Sequence, residues 1–282
     1  MPAESPAQTL VSSPMEIIPS HATLSVANLD TEVAWYTQVM GFKVTSRVKR
    51  GDDFEVAETS IPGYRIDMSW RKGSVRHHVL DFDTDQGWMH IVFQSPALEA
   101  DYNRLVALKA DVKANKNKDG TIGRLIIHDP EGNEIEIQRP DQAVQASAQA
   151  SADNPLQLTP HHATVAVADY EKEVDWYQRV MGFTVTQQFK LGDTGKVCHL
   201  SIPGYQLDVS WHKGSVKHAV LKGDLEQGWL HIVFKTPNID AVYDRLVAEH
   251  ADVRAGKDKD SKITMVSVDD PEGNQLAFQP AD

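Results

Sequence analysis

The residues best suited to chemistry in this chain sit on strand-like stretches, two positions apart. The segment Gln86-Gly87-Trp88-Met89-His90-Ile91-Val92-Phe93-Gln94 reads with period two as a strand with unlike faces. Met89, Ile91 and Phe93 point toward a core, and Trp88, His90, Val92 and Gln94 point away from it. Three more stretches share that design. His21, Thr23 and Ser25 stand in front of Ala22, Leu24 and Val26; Arg65, Asp67 and Ser69 in front of Ile66 and Met68; Glu134, Glu136 and Gln138 in front of Ile135 and Ile137. Together the fronts offer His21, Asp67, His90 and Glu136. Two imidazoles and two carboxylates suit a borderline divalent ion such as Zn, Fe, Ni, Co or Mn. The carboxylates neutralise its charge and leave positions open for a substrate. Taken singly, each residue has a plainer reading, a satisfied core imidazole or a solvated strand face. It is the set that points to a metal. Trp88 on the His90 face, and Arg65 and Ser69 on the Asp67 face, are candidates for substrate contact. Trp35 and Trp176 read as helix packing, and Glu99, Glu131 and the lysine-rich Lys113–Lys118 stretch as solvated.

The elements that position these fronts follow one pattern. A strand near His21–Val26 leads to a helix with Asp30 as N-cap, Val33, Tyr36, Val39 and Met40 on one stripe, and Gly41 just past its end. Strands follow near 43–49, 54–61 and 64–70. The pattern then restarts with the His90 strand. Ser95-Pro96 reads as an N-cap with proline at the first helical position. A helix over 97–109 carries Leu98, Tyr102, Leu105 and Leu108 inward, and further strands follow, the clearest near 121–127 and 134–138. Asp129-Pro-Glu-Gly-Asn133 is a turn signal.

The whole pattern is written twice. His21, Asp67 and His90 recur as His162, Asp208 and His231, a constant offset of 141 positions. The sequence therefore predicts an α+β fold of tandem duplicated domains. Each holds two βαβββ modules forming a curved mixed-sheet cup with helices outside. The expected boundaries are an arm over 1–20, a first domain over 21–140, a linker over 141–158 rich in Ala, Gln and Ser, and a second domain over 159–282.

Composition narrows the function. A net charge of −12 over 282 residues argues against nucleic-acid and anionic-membrane partners. The single cysteine, Cys198, excludes an intramolecular disulfide and a cysteine-rich zinc site. No apolar run is long enough for a transmembrane helix. The first twenty residues lack a secretory pattern, so the expectation is a cytoplasmic protein, monomer or homodimer, acting on a small molecule.

Four segments resemble the vicinal oxygen chelate superfamily, which includes glyoxalase I, bleomycin- and fosfomycin-resistance proteins, methylmalonyl-CoA epimerase and extradiol dioxygenases. They are the opening His21-Ala-Thr-Leu-Ser-Val-Ala-Asn-Leu-Asp, the Trp35-Tyr-Thr-Gln-Val-Met-Gly-Phe helix end, the Gly87-Trp-Met-His-Ile-Val-Phe strand, and Asp129-Pro-Glu-Gly-Asn-Glu-Ile-Glu. The resemblance runs from His21 nearly to the C-terminus. It implies metal positions at His21, Asp67, His90 and Glu136, although glyoxalase I has glutamate where Asp67 stands. In the second copy His162, Asp208 and His231 are kept, while Ala277 stands at the position of Glu136. One complete site, one degenerate site and one metal ion is the simplest count. Some family members build a cup from the first module of one domain and the second of another, which here would join His162 and Asp208 to His90 and Glu136. An eighteen-residue linker reaches roughly 20–25 Å and permits both arrangements. The within-copy set is preferred because it is complete. The implied activity is a metal-dependent lyase or isomerase of glyoxalase type with Glu136 shuttling a proton. An Fe(II) ring-cleaving dioxygenase and a small-molecule-sequestering resistance protein are the alternatives.

Overall fold

The computed structural model describes residues 15–74, 87–140, 155–215 and 228–281. Gln86, Gln227 and most of the expected arm and linker lie outside them. Within the described residues the chain forms four βαβββ modules. The first comprises β1 (Ile18–Ser25), α1 (Leu29–Trp35), β2 (Lys43–Arg50), β3 (Phe54–Ile61) and β4 (Tyr64–Arg71). The second comprises β5 (Gly87–Gln94), α2 (Leu98–Ala107), β6 (Asp111–Lys116), β7 (Ile122–His128) and β8 (Glu134–Gln138). The third comprises β9 (Thr159–Ala166), α3 (Tyr170–Arg179), β10 (Thr184–Lys190), β11 (Gly195–Ile202) and β12 (Tyr205–His212). The fourth comprises β13 (Gly228–Thr236), α4 (Ile239–Ala248), β14 (Asp252–Lys257), β15 (Ile263–Asp269) and β16 (Gln275–Pro280).

Within each module the first strand lies parallel to the last, as β1 to β4 and β5 to β8, because the helix crosses over between them. That leaves the first strand with one open edge, and an open edge seeks a partner. Here the partner comes from the other copy. β1 pairs antiparallel with β13, and β5 with β9. The result is two eight-stranded curved mixed sheets, β14-β15-β16-β13-β1-β4-β3-β2 and β10-β11-β12-β9-β5-β8-β7-β6. Modules one and four share the first, here the outer sheet. Modules two and three share the second, the inner sheet. The expectation that each cup lies within one copy is corrected by this order.

The modules of one copy meet instead through their apolar backs. Phe93 of β5 stands edge-on to Phe42 and Tyr64 of the first module, with ring centroids 6.0 and 5.7 Å apart. A polar clasp adds to this. Asp129 accepts hydrogen bonds from the backbone N–H groups of Glu131 and Asn133, which folds the Asp-Pro-Glu-Gly-Asn turn. The turn aims Glu131 at the start of α1, where its carboxylate accepts from the N–H groups of Ala27 at 2.9 Å and Asn28 at 2.8 Å. These donors have no partner within the helix, and a carboxylate there also meets the positive end of its dipole. Glu131 is therefore buried, not solvated as expected. Glu272 grips Ala168 and Asp169 in the same way.

Local corrections have local causes. Asn28, not Asp30, caps α1, by accepting from Thr31 N–H; Asp30 lies in the first turn and pairs with Arg47. Past Trp35 the helix widens into a π turn, Tyr36–Met40, which ends on Gly41 at φ +80°, as the glycine predicts. α2 begins at Leu98 after Ala97, and Ser95 serves the joint from outside, accepting from Ala97 N–H.

Candidate active site

The register of the inner sheet assembles the site. β5 carries His90 and Val92; across the parallel pair with β8 these face Glu134 and Glu136, and across the antiparallel pair with β9 Val92 faces His162. β12 lies beyond β9 and brings Asp208 opposite Thr164. His90, Glu136, His162 and Asp208 line one cavity of about 580 Å³. Around them stand Arg124 of β7, His199 of β11, and Phe189 of β10 with Leu191 beyond it; both apolar side chains are exposed.

Within this cup the donors are held close. His90 Nδ1 lies 3.1 Å from Glu134 Oε1, and ligand atoms of His90, Glu134 and Glu136 fall within 4.8 Å of one another. His162 Nε2 is 3.2 Å from Asp208 Oδ2, which His199 Nε2 also approaches at 3.4 Å. Gln206 donates to the other Asp208 oxygen at 2.8 Å. Arg124 Nη1 is 2.9 Å from Glu136 Oε1. Burial opposes the Glu134 charge, but hydrogen bonds from His128 and His90 outweigh it and hold this carboxyl at about 2. Burial likewise opposes the Asp208 charge, and His162 with its neighbours brings that carboxyl below the usual range. The carboxylates thus carry the charge a metal centre needs. His90, Glu134 and Glu136 lie close enough together to suit a borderline divalent ion, and His162 and Asp208 line the same inner-sheet cup.

The other expected residues are elsewhere. His21 and Asp67 lie on β1 and β4 of the outer sheet, with His231 on β13 and Ala277 on β16. The set His21, Asp67, His90 and Glu136 is therefore split between two cups, while His162 and Asp208, expected to be degenerate, line the inner one with His90 and Glu136. Arg65 and Ser69 belong to the outer cup as well, away from His90. Burial, then Arg65, His231 and Lys235, push His21 down to about 3, so it is neutral near pH 7. Burial outweighs the Arg65 guanidinium and moves Asp67 up to about 6, still ionised near neutrality.

Trp88 is also corrected. The β5–β9 register shifts between Trp88 and His90. A bulge adds one residue and reverses the alternation before it. Trp88 therefore turns into the core with Ile91 and Phe93. Its indole N–H donates to the Gln275 carbonyl of the outer sheet at 3.0 Å, and Trp229 answers with Glu134 of the inner sheet at 3.2 Å. These tryptophans pin the sheets together and do not line the cavity. Sequence reasoning missed Glu134, and also Arg124, His199, Phe189 and Leu191 of the cavity wall; the signal for Glu134 was its position two before Glu136, on the same face.

A family profile described as glyoxalase, bleomycin resistance protein and dioxygenase superfamily matches residues 18–137 and again 159–278. Among solved structures, glyoxalase I from Zea mays superposes with TM-score 0.71 at 14% identity, covering 94% of this chain and 92% of that one. A Bacillus subtilis protein described as a candidate dioxygenase superposes with TM-score 0.69 at 16% identity, covering 96% and 86%. The cppA protein of Streptococcus pneumoniae gives 0.53 at 14% identity, covering 94% and 99%. At these identities the likeness is one of fold. No helix among the described residues is long and apolar enough to cross a membrane.

Proposed function

Since the chain belongs to the glyoxalase, bleomycin resistance protein and dioxygenase superfamily, we propose that its inner cup is the site of a divalent-metal-dependent lyase or isomerase of glyoxalase type. The substrate is a small molecule with two adjacent oxygens. The observation that carries this reading is the convergence of His90, Glu136, His162 and Asp208 on one cavity, from strands of both halves of the chain.

His90 and Glu136 from one half, with His162 and Asp208 from the other, would hold the ion, and Glu134 orients His90. What a bound ion supplies is Lewis-acid stabilisation of negative charge developing on the substrate oxygens. The remaining work falls to the chain. Glu136 lines the cavity and moves a proton between neighbouring substrate carbons. Arg124, with Nη1 2.9 Å from Glu136 Oε1, fixes that carboxylate in place. Phe189 and Leu191 give the apolar part of the substrate a wall. The test is elemental analysis of protein purified without added metal, then a screen of 2-oxoaldehyde adducts and hydroxy-carbonyl substrates. Bound transition metal with non-oxidative turnover supports the reading; a metal-free, active protein refutes it.

One observation favours a second reading. His90, His162 and one carboxylate make a two-His-one-carboxylate set, the ligand pattern of non-haem Fe(II) oxygenases. A ring-cleaving dioxygenase would consume oxygen with a catechol substrate and lose activity on iron oxidation.

A further inference from the structure

The outer cup repeats the frame of the inner one, and Arg65 is among the residues that set the two apart. His21 and Asp67 keep the relation of His162 and Asp208, with Nε2 to Oδ2 distances of 3.3 and 3.2 Å. In the inner cup the neighbouring position on β12 holds the neutral Gln206, which touches only one oxygen of Asp208. In the outer cup it holds Arg65. Its Nη2 donates a hydrogen bond to Asp67 Oδ2 at 3.0 Å, and its Nε lies 2.7 Å from Oδ1 as a close ion-pair contact. The same Nη2 lies 3.1 Å from His21 Nε2, and Nη1 lies 3.7 Å from Glu58 Oε2. The guanidinium thus takes up the histidine and the carboxylate that the inner cup presents to its cavity. Ala277 removes the further carboxylate.

We propose that Arg65 is the resident cation of the outer cup, standing where the inner cup admits a metal ion and closing the outer cup to divalent ions. The inner-cup reading supplies the comparison on which this rests. The physical reason is charge. A guanidinium stays protonated at any working pH. A divalent ion brought to His21 and Asp67 would face it at a few ångströms, where repulsion is strong in a part-buried site. Moving Arg65 aside would strip Asp67 of its cationic partner. Arg65 is also a poor anchor for a substrate anion, because its fork is engaged by Asp67, His21 and Glu58. The missing carboxylate is thus only half of why the outer cup takes no metal, and replacing it alone does not reopen the site.

Cobalt(II) binding to the full chain tests this, read by visible absorption and by elemental analysis. The inner cup is first silenced with His90→Ala and His162→Ala. On that background Ala277→Glu should bind cobalt about 10- to 100-fold more weakly than the pair Arg65→Gln with Ala277→Glu. The pair should take up a single equivalent. Equal affinity with and without Arg65 overturns the proposal, as does failure of the folded pair to bind. The same pair in a chain with an intact inner cup controls for folding, since it keeps the inner ion, and Arg65→Met replaces Arg65→Gln if that chain is unstable. Wild-type protein that binds no ion sinks the inner-cup reading and this proposal with it, whereas equal affinity with and without Arg65 in a protein whose inner cup does bind sinks this proposal alone.

Discussion

At the scale of single residues, the inner cup rests on carboxylates whose charge is kept against burial. Glu134 shows this most clearly, since His90 and His128 hold it far below the usual range. Its replacement by glutamine keeps the shape and removes the charge beside His90. Metal affinity should fall about 10- to 100-fold, as for other partners of metal ligands, and isothermal titration measures it; unchanged affinity would remove Glu134 from the site. A second group behaves oppositely. Glu32 of α1 is fully buried near Asp129 and Glu131, and burial followed by those two charges pushes its carboxyl far upward. Glu173 does the same near Asp270 and Glu272. The folded chain thus keeps protons that the unfolded chain releases above the ordinary carboxylate range. Stability from these groups is full below that range and declines as pH rises toward their folded values, by up to about 1.4 kcal/mol per pH unit for each. The double variant Glu32→Gln, Glu173→Gln should lose less stability between pH 5 and pH 9 than wild type. Urea unfolding at the two pH values checks it, and parallel losses would show that the protons are not held there.

At the scale of elements, the clasp between turn and helix is the feature most open to measurement. Glu131→Ala leaves the N–H groups of Ala27 and Asn28 without their acceptor where the chain is part-buried. Such a loss costs about 1–3 kcal/mol. Denaturant unfolding should show that destabilisation, and a change under 0.5 kcal/mol, the scale of an ordinary surface substitution, would return Glu131 to the solvated role its charge first suggested. Most elements were legible in the sequence, and for a physical reason. Alternating stretches such as His21–Val26 and Arg65–Ser69 set an apolar face against a polar one, and the apolar face fixes the period. What escaped was the bulge at Met89, which is one residue long and leaves no compositional mark. By reversing the alternation before it, the bulge turned Trp88 from a supposed cup residue into a link between sheets. The strand Asp111–Lys116 was obscured for another reason: as an edge strand it is half solvated and carries Lys113 and Lys116.

At the scale of the whole molecule, the pairing of modules was not legible, and the near-identity of two strands explains why. β1 must choose between Gly87-Trp-Met-His-Ile-Val-Phe-Gln and Gly228-Trp-Leu-His-Ile-Val-Phe-Lys as its antiparallel neighbour. These present almost the same faces and hydrogen-bonding groups, so no local preference separates them. The structure pairs β1 with the second. Each copy is then held by its core and its Glu131-type clasp, while each cup is shared between copies. The four candidate ligands in the sequence therefore fall in two different cups, His90 and Glu136 in the inner one and His21 and Asp67 in the outer one. The central claim is that the working cup joins His90 and Glu136 of the first half to His162 and Asp208 of the second. The most direct measurement is the metal content of the full chain carrying His162→Ala, beside that carrying His21→Ala, after equal dialysis. The account predicts that His162→Ala strips the ion and His21→Ala keeps it at the wild-type level. Loss of the ion from His21→Ala with retention in His162→Ala would contradict it.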